Sequence, residues 1–112
     1  MYQSSRVDAL TNLLNRRAFE ERMEEETAIA KRHGTLSCLA ILDIDHFKAI
    51  NDEYGHDSGD KVLQAVASFL KSSARTGDIV ARWGGEEFLI YVRLSEIEGA
   101  QTLIEKLSLI HI

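Results

Sequence analysis

The chain has 112 residues, of which 45% are apolar and 28% charged, and carries a formal net charge of −5. That profile is one soluble globular domain with one apolar core. It excludes a bilayer-spanning helix, which needs an apolar run of ~20 residues, shows no signal-peptide pattern, and disfavours duplex nucleic acid, whose binders carry a basic face. Cys38, the one cysteine, lies in an apolar run and has no internal disulfide partner, which suits a reducing, cytoplasmic compartment. An acidic chain can still bind a small polyphosphate if carboxylates hold divalent ions that bridge to it.

The opening Asp8-Ala9-Leu10-Thr11-Asn12-Leu13-Leu14-Asn15-Arg16-Arg17 reads as a structured turn leading into a helix. In that helix Phe19, Met23, Thr27 and Ala30 recur at helical spacing, acidic residues between 20 and 26 form a wet face, and His33-Gly34 ends it. Leu36 to Ile44 is apolar apart from Ser37 and Asp43, and short enough to be a buried strand. A short helix is expected to start near His46. The polar stretch Asp52 to Asp60 reads as a loop, with Ser58 placed to cap the next helix. That helix presents Val62, Ala65, Val66, Phe69 and Leu70 as its apolar stripe. Ile79 to Trp83 and Phe88 to Val92 are two strands around Gly84-Gly85, a hairpin with Glu86 and Glu87 at its tip. A last amphipathic helix carries Ile97, Ala100, Ile104 and Leu107. The order α-β-α-α-β-β-α predicts an α/β (α+β) layer with a thin sheet.

Two acidic positions stand where chemistry can use them. Asp43 ends an apolar strand, where a bare carboxylate is costly unless paired or bound to metal. Glycines before Glu86 let the backbone turn tightly and leave room for a ligand. If the first strand lies beside the hairpin, Asp43 and Glu86 can converge on Mg²⁺ or Mn²⁺, which also holds nucleotide phosphates. The plainer alternative has Asp43 capping a helix and Glu86-Glu87 solvating a turn. A helix starting near His46 points backbone N–H groups at the strand end, a phosphate site that Lys48 can reinforce; alone, Lys48 is an exposed lysine. Asn51 and Asp60 carry groups complementary to a purine edge, although spacing alone makes them loop and cap residues.

The segment Leu42-Asp43-Ile44-Asp45-His46-Phe47-Lys48-Ala49-Ile50-Asn51-Asp52-Glu53-Tyr54-Gly55-His56-Asp57-Ser58-Gly59-Asp60, with Arg82-Trp83-Gly84-Gly85-Glu86-Glu87-Phe88, closely resembles the GGDEF family of diguanylate cyclases, here in a GGEEF form. The opening Asp8 to Arg17 resembles that family's start. The resemblance implies a palm-like nucleotidyl-cyclase fold, a central and mostly antiparallel sheet flanked by helices, and condensation of two GTP molecules into cyclic di-GMP with release of pyrophosphate. It implies that Asp43, the Ile44 carbonyl, Glu86 and Glu87 hold Mg²⁺ or Mn²⁺. Glu86 would also help deprotonate the attacking 3′-hydroxyl, and Lys48 would stabilise charge on the triphosphate. Phe47, Asn51, His56, Asp60, Gly84 and Gly85 fall at nucleotide-binding positions; Asp45 is not placed in the metal set. Two copies must face each other for each 3′-hydroxyl to reach the other's α-phosphate, so the competent unit is a homodimer. Arg75-Thr76-Gly77-Asp78, with Arg75 nine residues before Gly84, matches the family's RxxD inhibitory site for the product; on its own such an Arg–Asp pair is usually structural.

The resemblance covers residues 1–112 as one domain incomplete at its carboxy terminus: it ends near Leu107, and the family's next core strand and basic final helix are not matched by Ser108 to Ile112. The expectation is an open sheet edge, exposed apolar surface and weak or absent turnover in this chain. Three other readings compete with the cyclase. One is a cyclic di-GMP sensor using Arg75 and Asp78 without catalysis, another a cyclase of different nucleotide choice, and the third an interaction domain that binds no nucleotide.

Overall fold

In a computed structural model that describes residues 5–94, the elements run α1 (Arg16–His33), β1 (Leu36–Asp43), α2 (Phe47–Tyr54), α3 (His56–Ser73), β2 (Ile79–Gly84) and β3 (Glu87–Leu94). This is the expected order as far as it goes; the predicted last helix lies outside the described residues. α1 starts where Asn15 accepts a hydrogen bond from the Ala18 N–H at 3.0 Å. It stops at Gly34, whose backbone is left-handed at φ 67° and whose N–H returns to the Ala30 carbonyl.

The three strands of the described residues form one antiparallel sheet in the order β1-β3-β2, so the last of these in sequence is the middle one in space. Phe88 through Val92 are accordingly all buried. Strand side chains alternate between faces, and the two faces meet different helices. Phe88, Ile90 and Val92 pack with Leu63, Val66, Ala67 and Leu70 of α3, together with Leu13 and Ile44. Leu89 and Tyr91 pack with Ile79, Ala81 and Phe19 of α1. At the far end of the sheet the Tyr91 hydroxyl shares hydrogen bonds with Ser37 at 2.7 Å and Thr27 at 3.4 Å. Arg93 lies 3.3 Å from Glu26 there.

Three expectations are corrected. β1 is not a buried strand: Cys38, Ala40 and Leu42 are half-buried on the α3 side, while Leu39 and Ile41 are 46% and 66% exposed on the other. The reason is width. α1 lies chiefly against β2, and a helix about 10 Å across covers only two strands spaced about 4.8 Å apart. The α3 stripe is Leu63, Val66, Ala67 and Leu70, with Val62 at its margin; Ala65 is exposed and Phe69 is 42% exposed. The helix also begins earlier than expected, at His56, so Asp52 to Asp60 is not a loop and Ser58 sits inside α3, where Gly55 is the capping residue.

Phe88 is fully buried in the middle of the sheet, so Phe88→Ala should cost roughly 3–5 kcal/mol in urea unfolding. Phe69→Ala, at the rim of α3, should cost less than about 1 kcal/mol. Equal losses would contradict the observed phase of α3.

Candidate active site

The carboxylates are brought together by strand register. Asp43 and Glu87 are directly paired across β1 and β3. One residue on, the Ile44 N–H donates to the Glu86 carbonyl at 3.2 Å. Asp43 and Glu87 are exposed, Glu86 is half-buried, and the Ile44 side chain is buried in the core. The hairpin needs its glycines. The β2–β3 register shifts between Arg82 and Gly84, so Trp83 bulges, and Gly85 takes a left-handed φ of 49°. Trp83 packs edge-on against Phe19, centroids 6.2 Å apart, with the Arg16 guanidinium 4.1 Å from the ring centroid. Asp43, Ile44, Glu86 and Glu87 are therefore neighbours through the backbone. Among the described residues, however, no three His, Cys, Asp or Glu side chains are gathered tightly enough to hold a metal ion by themselves.

β1 passes into α2 through His46, whose backbone is left-handed at φ 59°, an uncommon conformation outside glycine. His46 makes no side-chain cap, so it leaves the first-turn N–H groups of α2 uncovered. Phe47 and Lys48 open this helix, and Lys48 is exposed. Asn51 lies one turn on. Gly55 alone, at φ 91° and ψ 164°, turns the chain from α2 into α3; its N–H donates to the Asn51 carbonyl at 2.8 Å. His56 is then the first residue of α3, and Asp60, exposed, lies about one turn further. Asn51 and the start of α3 touch: a Cβ on Gly59 would overlap the Asn51 side chain and stand 3.3 Å from the Phe47 ring. The Asn51 Oδ1 is buried with no hydrogen-bond partner. That orphaned acceptor shows that polar capacity is left unused between the two helices.

Residues to which the motifs assign no role complete the site. In the amino-terminal turn the Asp8 carboxylate accepts from the Thr11 N–H at 3.0 Å and the Thr11 hydroxyl at 2.7 Å. Arg82 joins this turn to the hairpin. Its Nη1 lies 3.3 Å from both Asp8 carboxylate oxygens, while Nε and Nη2 donate to the Gly85 carbonyl at 3.0 and 2.9 Å. No spacing rule reveals a contact between positions 74 apart in the chain. Gly59 does carry a signal, because a glycine inside a helix marks a close approach. Burial opposes ionisation of Asp8 and is the largest single influence; the Thr11 hydrogen bonds and the Arg82 charge together outweigh it and hold the carboxyl below its ordinary 3.8.

The Arg75–Asp78 turn lies at the opposite end of β2. Asp78 accepts from the Arg75 N–H at 2.8 Å, and the Arg75 Nε is 3.7 Å away in an exposed side chain. Six residues of strand put this turn roughly 20 Å from Glu86.

The antiparallel sheet with helices on both faces is the α+β frame of nucleotidyl cyclases. The chain belongs to the GGDEF family: residues 5–111, reaching beyond Leu107, match the family described as "Diguanylate cyclase, GGDEF domain". It is 47% identical over 105 residues to diguanylate cyclase DgcP of Pseudomonas aeruginosa, covering 94% of this chain and 16% of DgcP. It is 40% identical over 105 residues to the cyclic di-GMP phosphodiesterase NbdA of the same organism, covering 94% of this chain and 13% of NbdA. Among solved structures, the GGDEF domain of DgcB from Caulobacter crescentus in complex with c-di-GMP aligns with a TM-score of 0.87 at 40% identity, over 96% of this chain and 63% of that one. The chain thus spans under a fifth of the length of these two curated relatives.

A carboxyl with a lowered folded pKa stabilises the fold above its unfolded value and loses that contribution as pH falls through the folded one. Asp8→Asn should therefore cost about 1–2 kcal/mol at pH 7, a difference that closes as pH falls below about 4. Urea unfolding from pH 7 to 3 measures it. A deficit independent of pH would mean that the Asp8 charge is not what matters.

Proposed function

We propose that this chain is the catalytic module of a diguanylate cyclase. The observation that carries the reading is the Asp43–Glu87 pairing with the Ile44 N–H bonded to the Glu86 carbonyl. It makes Asp43, Ile44, Glu86 and Glu87 backbone neighbours at the end of β1, just ahead of α2 in the chain. Carboxylate and carbonyl oxygens are hard donors that suit Mg²⁺ or Mn²⁺, and a set with few side-chain ligands suits an ion that keeps several waters. Such an ion, when bound, supplies charge stabilisation on the phosphate oxygens.

The chain's own residues do the rest. Asp43, the Ile44 carbonyl and Glu86 would hold the ion, with Glu87 supporting it. Lys48 and the first N–H groups of α2 would take the triphosphate. Asn51, with its unpartnered Oδ1, and Asp60 would read the guanine edge, His56 would bind beside them, and Phe47, Gly84 and Gly85 would line the approach. The Asn51 oxygen can accept from a guanine N–H and the Asp60 carboxylate from others. Glu86 would take the proton from a 3′-hydroxyl. That oxygen bonds to the α-phosphorus of the GTP on a facing copy, and the α–β bridging P–O bond breaks to release pyrophosphate. Two such steps in a homodimer close cyclic di-GMP. GTP is an intracellular substrate, so this reading implies a cytoplasmic module; among the described residues no helix is long and apolar enough to cross a membrane.

Incubation with GTP and Mg²⁺, with products identified by mass spectrometry, tests the reading. Cyclic di-GMP and pyrophosphate should form, slowly in this chain and faster in a carboxy-terminally extended one, and Glu86→Ala should lower the rate at least about 10²-fold. Linear products, or no product from either chain, would overturn it. The RxxD turn would bind the product away from the catalytic carboxylates, so inhibition through Arg75 should be non-competitive with GTP. A sensor without turnover is the second reading, favoured by the exposed Arg75 fork and by a relative named as a phosphodiesterase. It predicts cyclic di-GMP binding that Glu86→Ala spares and Arg75→Ala removes.

Gly59 gives a sharper test of the guanine pocket. Alanine in a helix interior is favoured over glycine by about 1 kcal/mol, so Gly59→Ala should not lower the melting temperature much. It should displace Asn51 and weaken GTP binding about tenfold or more in calorimetry. Unchanged affinity would remove Asn51 from the pocket.

A further inference from the structure

We infer that Arg82 and Asp8 are positioning residues that hold Glu86 in place for the reaction, an inference that rests on the cyclase reading of the same site. Inside the GGEEF turn the strands pair Gly84 with Glu87. A Cβ on Gly84 or Gly85 would meet nothing within 4 Å, so neither glycine is held by packing, and glycine is the residue with the most backbone freedom to lose. Further hold on the turn comes from outside it. The carbonyl before Glu86, that of Gly85, receives two N–H groups of one guanidinium. The carbonyl of Glu86 itself receives the Ile44 N–H. The Glu86 Cα is thus clamped through the peptide units on either side, by three hydrogen bonds that its side chain does not make itself.

The guanidinium is in turn held on its other edge. Arg82 is 18% exposed and Asp8 23%, so the pair is largely withdrawn from solvent. Asp8 is locked by Thr11, by its own N–H to the Leu13 carbonyl at 2.7 Å and by its carbonyl to the Asn12 N–H at 2.8 Å. The Arg82 N–H donates to the Leu14 carbonyl at 3.0 Å, so backbone and side chain of Arg82 both bind the same turn. A planar fork with several fixed N–H directions can serve Asp8 and Gly85 at once, whereas an ammonium has no such fixed geometry.

The test separates positioning from stability and from the cyclase reading. Arg82→Gln, Arg82→Lys, Asp8→Asn and the double variant Asp8→Asn/Arg82→Gln are compared by amide hydrogen exchange without nucleotide and by kcat and KM for GTP with Mg²⁺. Arg82→Gln should speed exchange of the Ile44 amide about tenfold or more while amides of Val66 and Leu70 in α3 keep theirs. It should lower kcat about tenfold or more with little change in KM. Arg82→Lys should recover part of both effects. Asp8→Asn should show the same pattern more weakly, and the double variant should add little to Arg82→Gln. Uniformly faster exchange at every amide would reduce the pair to a stability element and overturn the inference, as would unchanged Ile44 exchange with unchanged kcat. If neither the unsubstituted chain nor a carboxy-terminally extended one makes cyclic di-GMP but Arg82→Gln still frees the Ile44 amide, the cyclase reading fails and the clamp on the turn stands.

Discussion

The site depends on one strand register. Because side chains alternate along a strand, sliding β1 by one residue against β3 would turn Asp43 to the other face and part the Ile44 N–H from the Glu86 carbonyl. The register is set along the whole length of the strands. Cys38, Ala40 and Leu42 must face α3, Phe88, Ile90 and Val92 must do the same, and the Tyr91 hydroxyl ties Ser37 to Thr27 at the opposite end of the sheet. A hydrophobic requirement along the strands thereby sets carboxylates at one end of the sheet. The middle strand bears most of this, since it is paired on both edges and covered on both faces.

The helices meet a different constraint. α2 is short and has no buried residue, so it is held by its ends and by α3 rather than by a core of its own. His46 in a left-handed conformation turns the chain off the strand, and the Asn51–Gly59 contact seats α2 on α3. Helix–helix closeness here is achieved by removing a side chain. The same closeness buries the Asn51 Oδ1 and leaves that acceptor without a partner, a cost that a hydrogen-bond donor placed there would relieve.

Much of this is legible in the residues. The element order, the strand ending in Asp43, the hairpin around Gly84-Gly85 and the amino-terminal turn all come from periodicity and turn chemistry. The departures have physical causes. β1 is as apolar as a buried strand, yet burial depends on how many strands one helix can span, and that is a tertiary quantity. An α3 stripe through Phe69 is suggested by the helical spacing counted from Val62, whereas Gly59 and Leu63 set the true phase by facing α2 and the sheet. Polar residues from Asp52 to Asp60 suggest a loop, yet a helix with a solvated face is equally polar. Arg82 is visible in the sequence only as part of a motif, because its bond to Asp8 exists only once the chain has closed on itself.

The single glycine between α2 and α3 has a consequence for how such a chain can vary. Each residue added to a helix rotates the downstream chain by about 100° and advances it about 1.5 Å. With no slack around Gly55, one inserted or deleted residue would swing Asp60 and His56 off the side that Asn51 faces. Substitutions at exposed positions flanking Gly55 are mechanically inexpensive, whereas one at Gly55 itself is strained by its positive φ, and changes of length cost more still. The segment should therefore tolerate changes of identity better than changes of length, and insertions fit better in connections that do not set the phase of a helix.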